Sequence, residues 1–235
     1  MISFLNKHWK NWIYDLKPLD TRMEILDKYG IKGMSSHNIR FFINEFSRQF
    51  IDGSNGEKYV EVGTYHGCSL LSSALYNDHD CIGIDNFSQF NAQGNNEQIC
   101  RSNISKLNRF LNSKVTLYDS NFELFFNNYE VDKSNIKIYF YDGAHDYESQ
   151  LKGLEIVLPY LCEQCIIFVD DVNLGSVRKA NDHFLAKHPK FKRVLQILTK
   201  GNCSPDWWNG WEVIARGYDF KPIAIDLKTR QVYDI

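Results

Sequence analysis

The stretch YFYDGAHDYESQ, residues 139–150, runs from aromatic residues straight into Asp142, Gly143, Ala144, His145 and Asp146. Loops that only turn are built mostly from Gly, Asn and Ser, so titratable groups crowded at this point ask for a chemical role. A second acidic pair, Asp170 and Asp171, closes the apolar run CIIFVDD. If both runs are neighbouring strands of an open parallel sheet, about 4.8 Å apart, their terminal carboxylates converge beyond the carboxyl edge, where such sheets hold ligands. Without a cation, at least one of three crowded carboxylates must keep its proton, because like charges this close cannot all ionise cheaply. A hard divalent ion removes the conflict, and an all-oxygen set with positions left for water and substrate suits Mg2+, or Mn2+. The competing reading is that Asp142 caps a helix, Asp171 is solvated and no ion binds.

His145 follows Asp142 in a D-x-x-H spacing that suits a general base for the same centre. The alternative is a structural histidine satisfied by a carbonyl. Asp146 and Glu148 belong to the first turn of the next helix, where acids favour the positive end, and Asn173 is a reserve ligand.

A second chemical signal lies in VEVGTYHGCSLL, where a strand enters Gly63, passes three residues to Gly67 and starts a helix near Cys68. Glycines there permit a tight turn and let a ligand approach the backbone, while a helix start offers free N–H groups to an anion. A dinucleotide fingerprint would read GxGxxG, and Thr64 and His66 fill the wrong places, which disfavours NAD. Asp85 ends the next strand, CIGID, where a carboxylate can accept both hydroxyls of a ribose. A tight packing turn is the plainer explanation of the glycines taken alone.

The elements that must position these residues read as strands separated by helices. KYVEV, CIGID, KVTLY, IKIYFYD and CIIFVDD are the strands; helices are expected over CSLLSSAL and near 93–112, 121–129, 146–160 and 174–187. This alternation predicts an α/β, doubly wound, mostly parallel seven-stranded sheet with an antiparallel C-terminal strand, a Rossmann-like arrangement. KRVLQIL and EVIAR flank the loop GNCSPDWWNGW, and IAIDL with QVYDI form a small hairpin. Trp207, Trp208 and Trp211 either line a substrate mouth or pack at the sheet edge. Residues 1–56 are expected as an N-terminal helical segment and 57–235 as the cofactor-binding domain. In the former, Ile39, Phe42, Ile43, Phe46 and Phe50 fall at helical spacing behind Ser35 and Ser36, and Phe4, Trp9, Trp12, Ile13 and Leu16 mark a further helix. GMSS, residues 33–36, either caps that first helix or closes over the cofactor.

The chain has 27 basic and 29 acidic side chains and a formal net charge of −2, so nothing global attracts nucleic acid or an anionic membrane. No apolar run is long enough to span a bilayer, and the N-terminus mixes Lys, Asn and Trp where a signal peptide needs an apolar block, which predicts a cytoplasmic protein. The 6 cysteines are scattered as reduced thiols would be, and Cys162 and Cys165, lacking a second ligand pair, are placed in the turn into the next strand rather than at zinc.

EVGTYHGCS followed by CIGIDN resembles the cofactor half of class I S-adenosylmethionine-dependent methyltransferases, particularly the metal-dependent O-methyltransferases related to catechol and macrolide-sugar enzymes. The resemblance runs over about residues 57–217. It implies that Glu61, Gly63, Tyr65 and Ser69 shape the methionine end of S-adenosyl-L-methionine, that Asp85 takes the ribose, and that Asp119 and Ser120 flank the adenine. DGAH and VDDV fit the family's acidic positions, which implies metal ligands Asp142, Asp170 and Asp171. His145 stands where catechol-type enzymes carry a lysine, as in the macrolide-sugar branch, and this departs from catechol itself. The implied reaction is methyl transfer to a hydroxyl of a small molecule, sugar-like or phenolic, with Mg2+ or Mn2+. The rivals are a metal-dependent phosphoester hydrolase, which needs neither glycine loop nor Asp85, a catalytically silent S-adenosylmethionine-binding protein and, more distantly, a nicotinamide enzyme. The oligomeric state, homo-oligomer included, stays open.

Overall fold

Five runs rich in β-branched and aromatic residues form the parallel half of one sheet: β1 (Lys58–Val62), β2 (Cys81–Asp85), β3 (Val115–Asp119), β4 (Ile136–Tyr141) and β5 (Leu161–Asp170). The computed structural model describes residues 21–128, 134–229 and 231–235. β6 (Phe191–Leu198) and β7 (Trp211–Arg216) pair antiparallel, and β7 lies between β5 and β6. These are the seven expected strands. The expected C-terminal hairpin, β8 (Ile223–Asp226) and β9 (Gln231–Asp234), joins the same sheet because β8 pairs parallel with β6. The full order is β3-β2-β1-β4-β5-β7-β6-β8-β9, nine strands among the described residues.

The helices are α1 (Glu24–Lys28), α2 (His37–Phe50), α3 (Cys68–Ala74), α4 (Asn96–Leu107), α5 (Phe122–Asn128), α6 (Tyr147–Ile156) and α7 (Gly175–Lys187). β4 is buried along its whole length, as a central strand covered on both faces must be. On one face α2 and α3 set Ile39, Phe42, Phe46 and Leu70 against Phe140, Phe168 and Trp211. On the other, Phe125, Phe126, Leu154, Val177 and Phe184 pack on Val60, Tyr139 and Ile167. Ser36 caps α2: its hydroxyl accepts from the Ile39 N–H at 3.2 Å and donates to the Asp206 carbonyl at 2.6 Å. Phe42 stacks on Phe46 at 4.1 Å and meets Phe168, Trp207 and Trp211 edge-on at 5.6–5.9 Å. No helix among the described residues is long and apolar enough to cross a membrane.

One expectation needs correction, and one left open is decided. Cys162 and Cys165 lie within β5 and not in a turn before it, because the strand already starts at Leu161 and Arg216 binds the carbonyls of Leu161 and Cys162. Trp207 and Trp211 belong to the core, each at most 1% exposed, and only Trp208 reaches the cleft described below. The helix expected around Phe4–Leu16 lies outside the described residues.

The chain travels outward from β1 to β3 and then returns to lay β4 on the other side of β1, so the strand order reverses between β1 and β4. Ligand sites of open α/β sheets form at such a reversal. Here the loops leaving the two strands touch: the Asp142 N–H donates to the Val62 carbonyl at 2.9 Å. Gly63 sits at φ +87°, and a Cβ there would stand 1.9 Å from the Asp142 carbonyl oxygen. No other residue fits this position without moving one of the loops.

Candidate active site

β4 and β5 pair in parallel, with Tyr141 opposite Val169, which brings the residues that follow them to one edge. Asp142 follows β4, Asp170 ends β5, and Asp171 turns the chain with a left-handed φ of +57°, a costly conformation for a residue other than glycine. His145 stands between the two loops. Its Nδ1 lies 2.9 Å from Asp171 Oδ2, and its Nε2 lies 3.5 Å from Asp142 Oδ1, where it forms no hydrogen bond. The other Asp171 oxygen accepts a hydrogen bond from the side-chain amide of Asn209.

One ligand atom from each of Asp142, His145 and Asp171 lies within 4.8 Å of the other two. Of the expected ligands, Asp142 and Asp171 fall in this compact group, with His145 between them, and Asp170 lies outside it. Asp171 leaves the end of β5 in a left-handed conformation, which sets its side chain toward His145 and apart from that of Asp170. Asp170 still lines the cleft, is 3% exposed, and leaves its buried Oδ1 without a hydrogen-bond partner. Asn173 is spent elsewhere, bonded through its side chain to the hydroxyl of Thr199 at 2.7 Å and to its N–H at 3.2 Å. Asp146 caps α6 by accepting from the Ser149 N–H at 2.9 Å, in agreement with the helix-start role read from its position.

The electrostatics describe an acid cluster short of positive charge. Burial pushes the Asp142 carboxyl up to about 6; His145 pulls it down, but Asp171 and Asp85 add to the rise. Asp170 is driven well above the usual carboxylate range by burial and by the charges of Asp142 and Asp171. Burial opposes a charged His145, yet the nearby carboxylates of Asp142 and Asp171, the latter in contact with Nδ1, outweigh it and lift the imidazole to about 10. With no ion present, the histidinium is the counter-charge of the two nearest acids. A divalent cation fits this donor set, since its two charges would offset the carboxylates of Asp142 and Asp171.

On the glycine-loop side, Asp85 accepts the Tyr65 N–H on one oxygen and the Phe87 N–H on the other, both at 2.7 Å. Two backbone bonds thus fix its carboxylate at the end of β2. Tyr65, at φ +48°, stacks on His66 with ring centroids 3.7 Å apart. A cleft of about 390 Å3 joins this region to the acid cluster, and Gly63, Tyr65, Ser69, Asp85, Ser120, Asp142, His145, Asp170 and Asp171 all line it. The remaining sequence candidates sit outside it. Glu61 is fully buried beneath the loop, where Tyr59 and Ser69 donate hydroxyl hydrogen bonds to it at 2.8 and 2.9 Å. Gly67 serves the turn into α3, with φ +82° and Cys100 packed against it. Asp119 pairs in register with Asp85 at the end of β3 but is exposed and does not line the cleft.

Ser36 caps α2, the first role considered for GMSS, and Gly33, Met34 and Ser35 line the cleft. Sequence reasoning missed Asn209 and Phe90. Phe90, 71% exposed at φ +51°, lies in the loop after β2 and also lines the cleft. Its exposure follows from a loop geometry without periodicity, and the only flag on Asn209 was the tryptophan-rich run around it.

Residues 60–172 match a family model described as a methyltransferase domain. Among solved structures, the chain is similar to an O-methyltransferase from Bacillus cereus in complex with S-adenosylhomocysteine. Identity is 18%, coverage is 86% of this chain and 92% of that one, and the TM-score is 0.58. It is also similar to TomG from Streptomyces achromogenes, an O-methyltransferase involved in tomaymycin synthesis, in complex with SAM (13% identity, 86% and 91% coverage, TM-score 0.57). A methyltransferase from Geobacter sulfurreducens gives 14% identity, 89% and 97% coverage and a TM-score of 0.54. At these identities the structural likeness speaks for the fold. No curated protein sequence matches the chain. The domain match spans the glycine loop, Asp85 and the acid cluster, so residues 60–172 match a methyltransferase domain and the chain has a Rossmann-like methyltransferase fold.

Proposed function

We propose that the protein transfers a methyl group from S-adenosylmethionine to a hydroxyl of a small molecule, sugar-like or phenolic, with a divalent cation, Mg2+ or Mn2+, at the acid cluster. The observation that carries this reading is the single cleft joining the glycine loop and Asp85 to Asp142, His145, Asp170 and Asp171. The cofactor would supply an electrophilic methyl, and an ion, which Asp142 and Asp171 would hold with Asp170 nearby, would supply positive charge that favours loss of the acceptor's hydroxyl proton.

The remaining work belongs to the chain. Asp85, already oriented by the Tyr65 and Phe87 N–H groups, accepts the ribose hydroxyls. Gly63, Tyr65 and Ser69 shape the methionine end, with the Ser69 hydroxyl anchored on buried Glu61. His145 takes the hydroxyl proton on Nε2, the nitrogen without a hydrogen-bond partner, while Nδ1 stays engaged with Asp171. Without an ion, Asp142 and Asp171 favour the imidazolium, so His145 becomes a usable base only when those carboxylates are neutralised by something else. Ion and base therefore operate together. Oxygen as the acceptor atom is further supported by the similar structures from Bacillus cereus and Streptomyces achromogenes, both described as O-methyltransferases.

The test is calorimetry with S-adenosylhomocysteine, with and without Mg2+ or Mn2+, followed by a screen of hydroxylated small molecules scored by mass for methyl gain. Cofactor binding with cation-dependent methyl gain is expected. A methylation rate untouched by chelator would remove the cation, and methyl gain only on nitrogen or sulfur acceptors would remove the hydroxyl.

A further inference from the structure

We infer that Asn209 is a positioning residue of the acid–histidine cluster: from the loop between β6 and β7 it holds the carboxylate of Asp171, and Asp171 holds His145. The inference rests on reading the cluster as the reaction centre, and its test is separable from that reading.

Asp171 divides its two oxygens between two partners. Oδ2 faces His145 Nδ1 at 2.9 Å, and Oδ1 accepts the Asn209 amide. Turning the carboxylate breaks both contacts at once, so whatever fixes one fixes the other. Asn209 is itself fixed on its remaining polar groups: its Oδ1 accepts the Cys203 N–H at 2.7 Å and its carbonyl accepts the Asn173 N–H at 2.8 Å. The loop around it is tied in turn. Ser204 and Trp208 exchange two backbone hydrogen bonds at 2.8 and 2.9 Å, and Ser36 holds the Asp206 carbonyl. Cys203 and Trp208 both adopt left-handed φ, at +55° and +48°, conformations that persist only where the surroundings impose them. The loop is therefore a built support and not a slack connection.

The chemistry demands an amide at this position. Asn209 must donate to a carboxylate and accept from an N–H at two separate atoms, which its amide does with Nδ2 and Oδ1. Aspartate would keep the bond from Cys203 while placing a second negative charge against Asp171. Because Cys203, Trp208 and Asn209 line the same cleft as the cluster, the wall and the orientation of His145 are coupled through one side chain.

The experiment uses the full chain at about pH 8 with Asn209→Asp and Asn209→Ala. Two quantities are read: the His145 ring N–H by NMR, assigned by its loss in His145→Asn, and the affinity for Mn2+ by calorimetry in the presence of S-adenosylhomocysteine. In the parent protein the Nδ1 proton, held by Asp171, gives a downfield, slowly exchanging resonance. Both variants should lose it. Mn2+ should bind about 10–100-fold more weakly, as expected when the partner that orients a ligand is removed, while S-adenosylhomocysteine affinity stays within about twofold. Asn209→Asp, which keeps the loop's own bond, separates positioning from mere support of the loop; if it fails to fold, Asn209→Ala is read in the same way. A ring resonance and Mn2+ affinity unchanged in the folded variants overturn the inference. If the parent protein binds no Mn2+, the cation of the proposed reaction falls, and the ring proton alone still decides the role of Asn209.

Discussion

Replacing Glu61 by glutamine should make the ligand-free protein more resistant to denaturant at mildly alkaline pH and change it little in mild acid. Glu61 is fully buried in β1, with Tyr59 and Ser69 donating to it. Burial is the largest influence and pushes its carboxyl up to about 8 from 4.5, against the hydrogen bonds of Tyr59 and Ser69 and with a small push from Asp142 and Asp85. In the unfolded chain the group loses its proton near its ordinary value, whereas the folded chain keeps it to about 8. Over that interval the unfolded state binds fewer protons, so stability is full below the ordinary value and drains away as pH rises. At about 1.36 kcal/mol per unit, the loss between pH 5 and 8 is roughly 3–4 kcal/mol. Glutamine has nothing to ionise, and its amide can still bond Ser69 and Tyr59. Urea unfolding of both proteins at pH 5 and pH 8, followed by tryptophan fluorescence, gives the stability gap at each pH. The gap should widen by roughly 3 kcal/mol in favour of the variant. A gap equal at both pH values would show that Glu61 already carries its charge in the fold, and the burial argument would fail.

Three further outcomes follow from the site and the core. His145→Ala should keep S-adenosylhomocysteine affinity within about twofold while methyl transfer to any acceptor found by screening drops about 10²–10⁴-fold; unchanged turnover would take the base role from it. Asp85→Asn should weaken S-adenosylhomocysteine binding by roughly 1.5–3 kcal/mol, the worth of hydrogen bonds to a charged group, and calorimetry showing parent-like affinity would remove Asp85 from the ribose site. Phe42→Ala, which empties a space between Phe46, Phe168, Trp207 and Trp211, should cost about 3–5 kcal/mol in urea unfolding; a loss under about 1 kcal/mol would mean that the layer under α2 re-closes on its own.

What the sequence made legible was whatever depends on local pattern. The alternation of apolar strands with helices placed β1 to β5, and the spacing of Ile39, Phe42 and Phe46 behind Ser36 placed α2 and its cap. Gly63, Asp85, Asp142, His145 and Asp171 stood out because each sits at a strand's carboxyl end or just past it, and all five line the one cleft. Side-chain direction was not legible in the same way. Asp170 and Asp171 are adjacent letters, and only the left-handed backbone of Asp171 decides which of them meets His145. Glu61 looked like a cofactor contact, yet the strand alternation of β1 turns it beneath the loop, onto Tyr59 and Ser69. The partnership of Asn209 with Asp171 spans 38 residues, with α7 and β6 between them, and no local period encodes such a pairing. The three tryptophans near the end of the chain were equally ambiguous, because burial of Trp207 and Trp211 depends on α2 arriving over them.

The contact between Gly63 and Asp142 ties together the turns that leave β1 and β4. In the proposed reaction one turn cradles the donor and the other begins the centre that activates the acceptor. Their separation is thus set by main chain against main chain, a gauge that side-chain exchange elsewhere leaves alone. Met34, Ser35, Cys203 and Trp208 reach the cleft from segments outside that gauge. Recontouring Met34 and Ser35, which lie outside the loop that holds Asp171, is consequently the route to a new acceptor that leaves the line of methyl transfer in place, whereas even a single methyl group added at Gly63 would spread donor and acceptor apart.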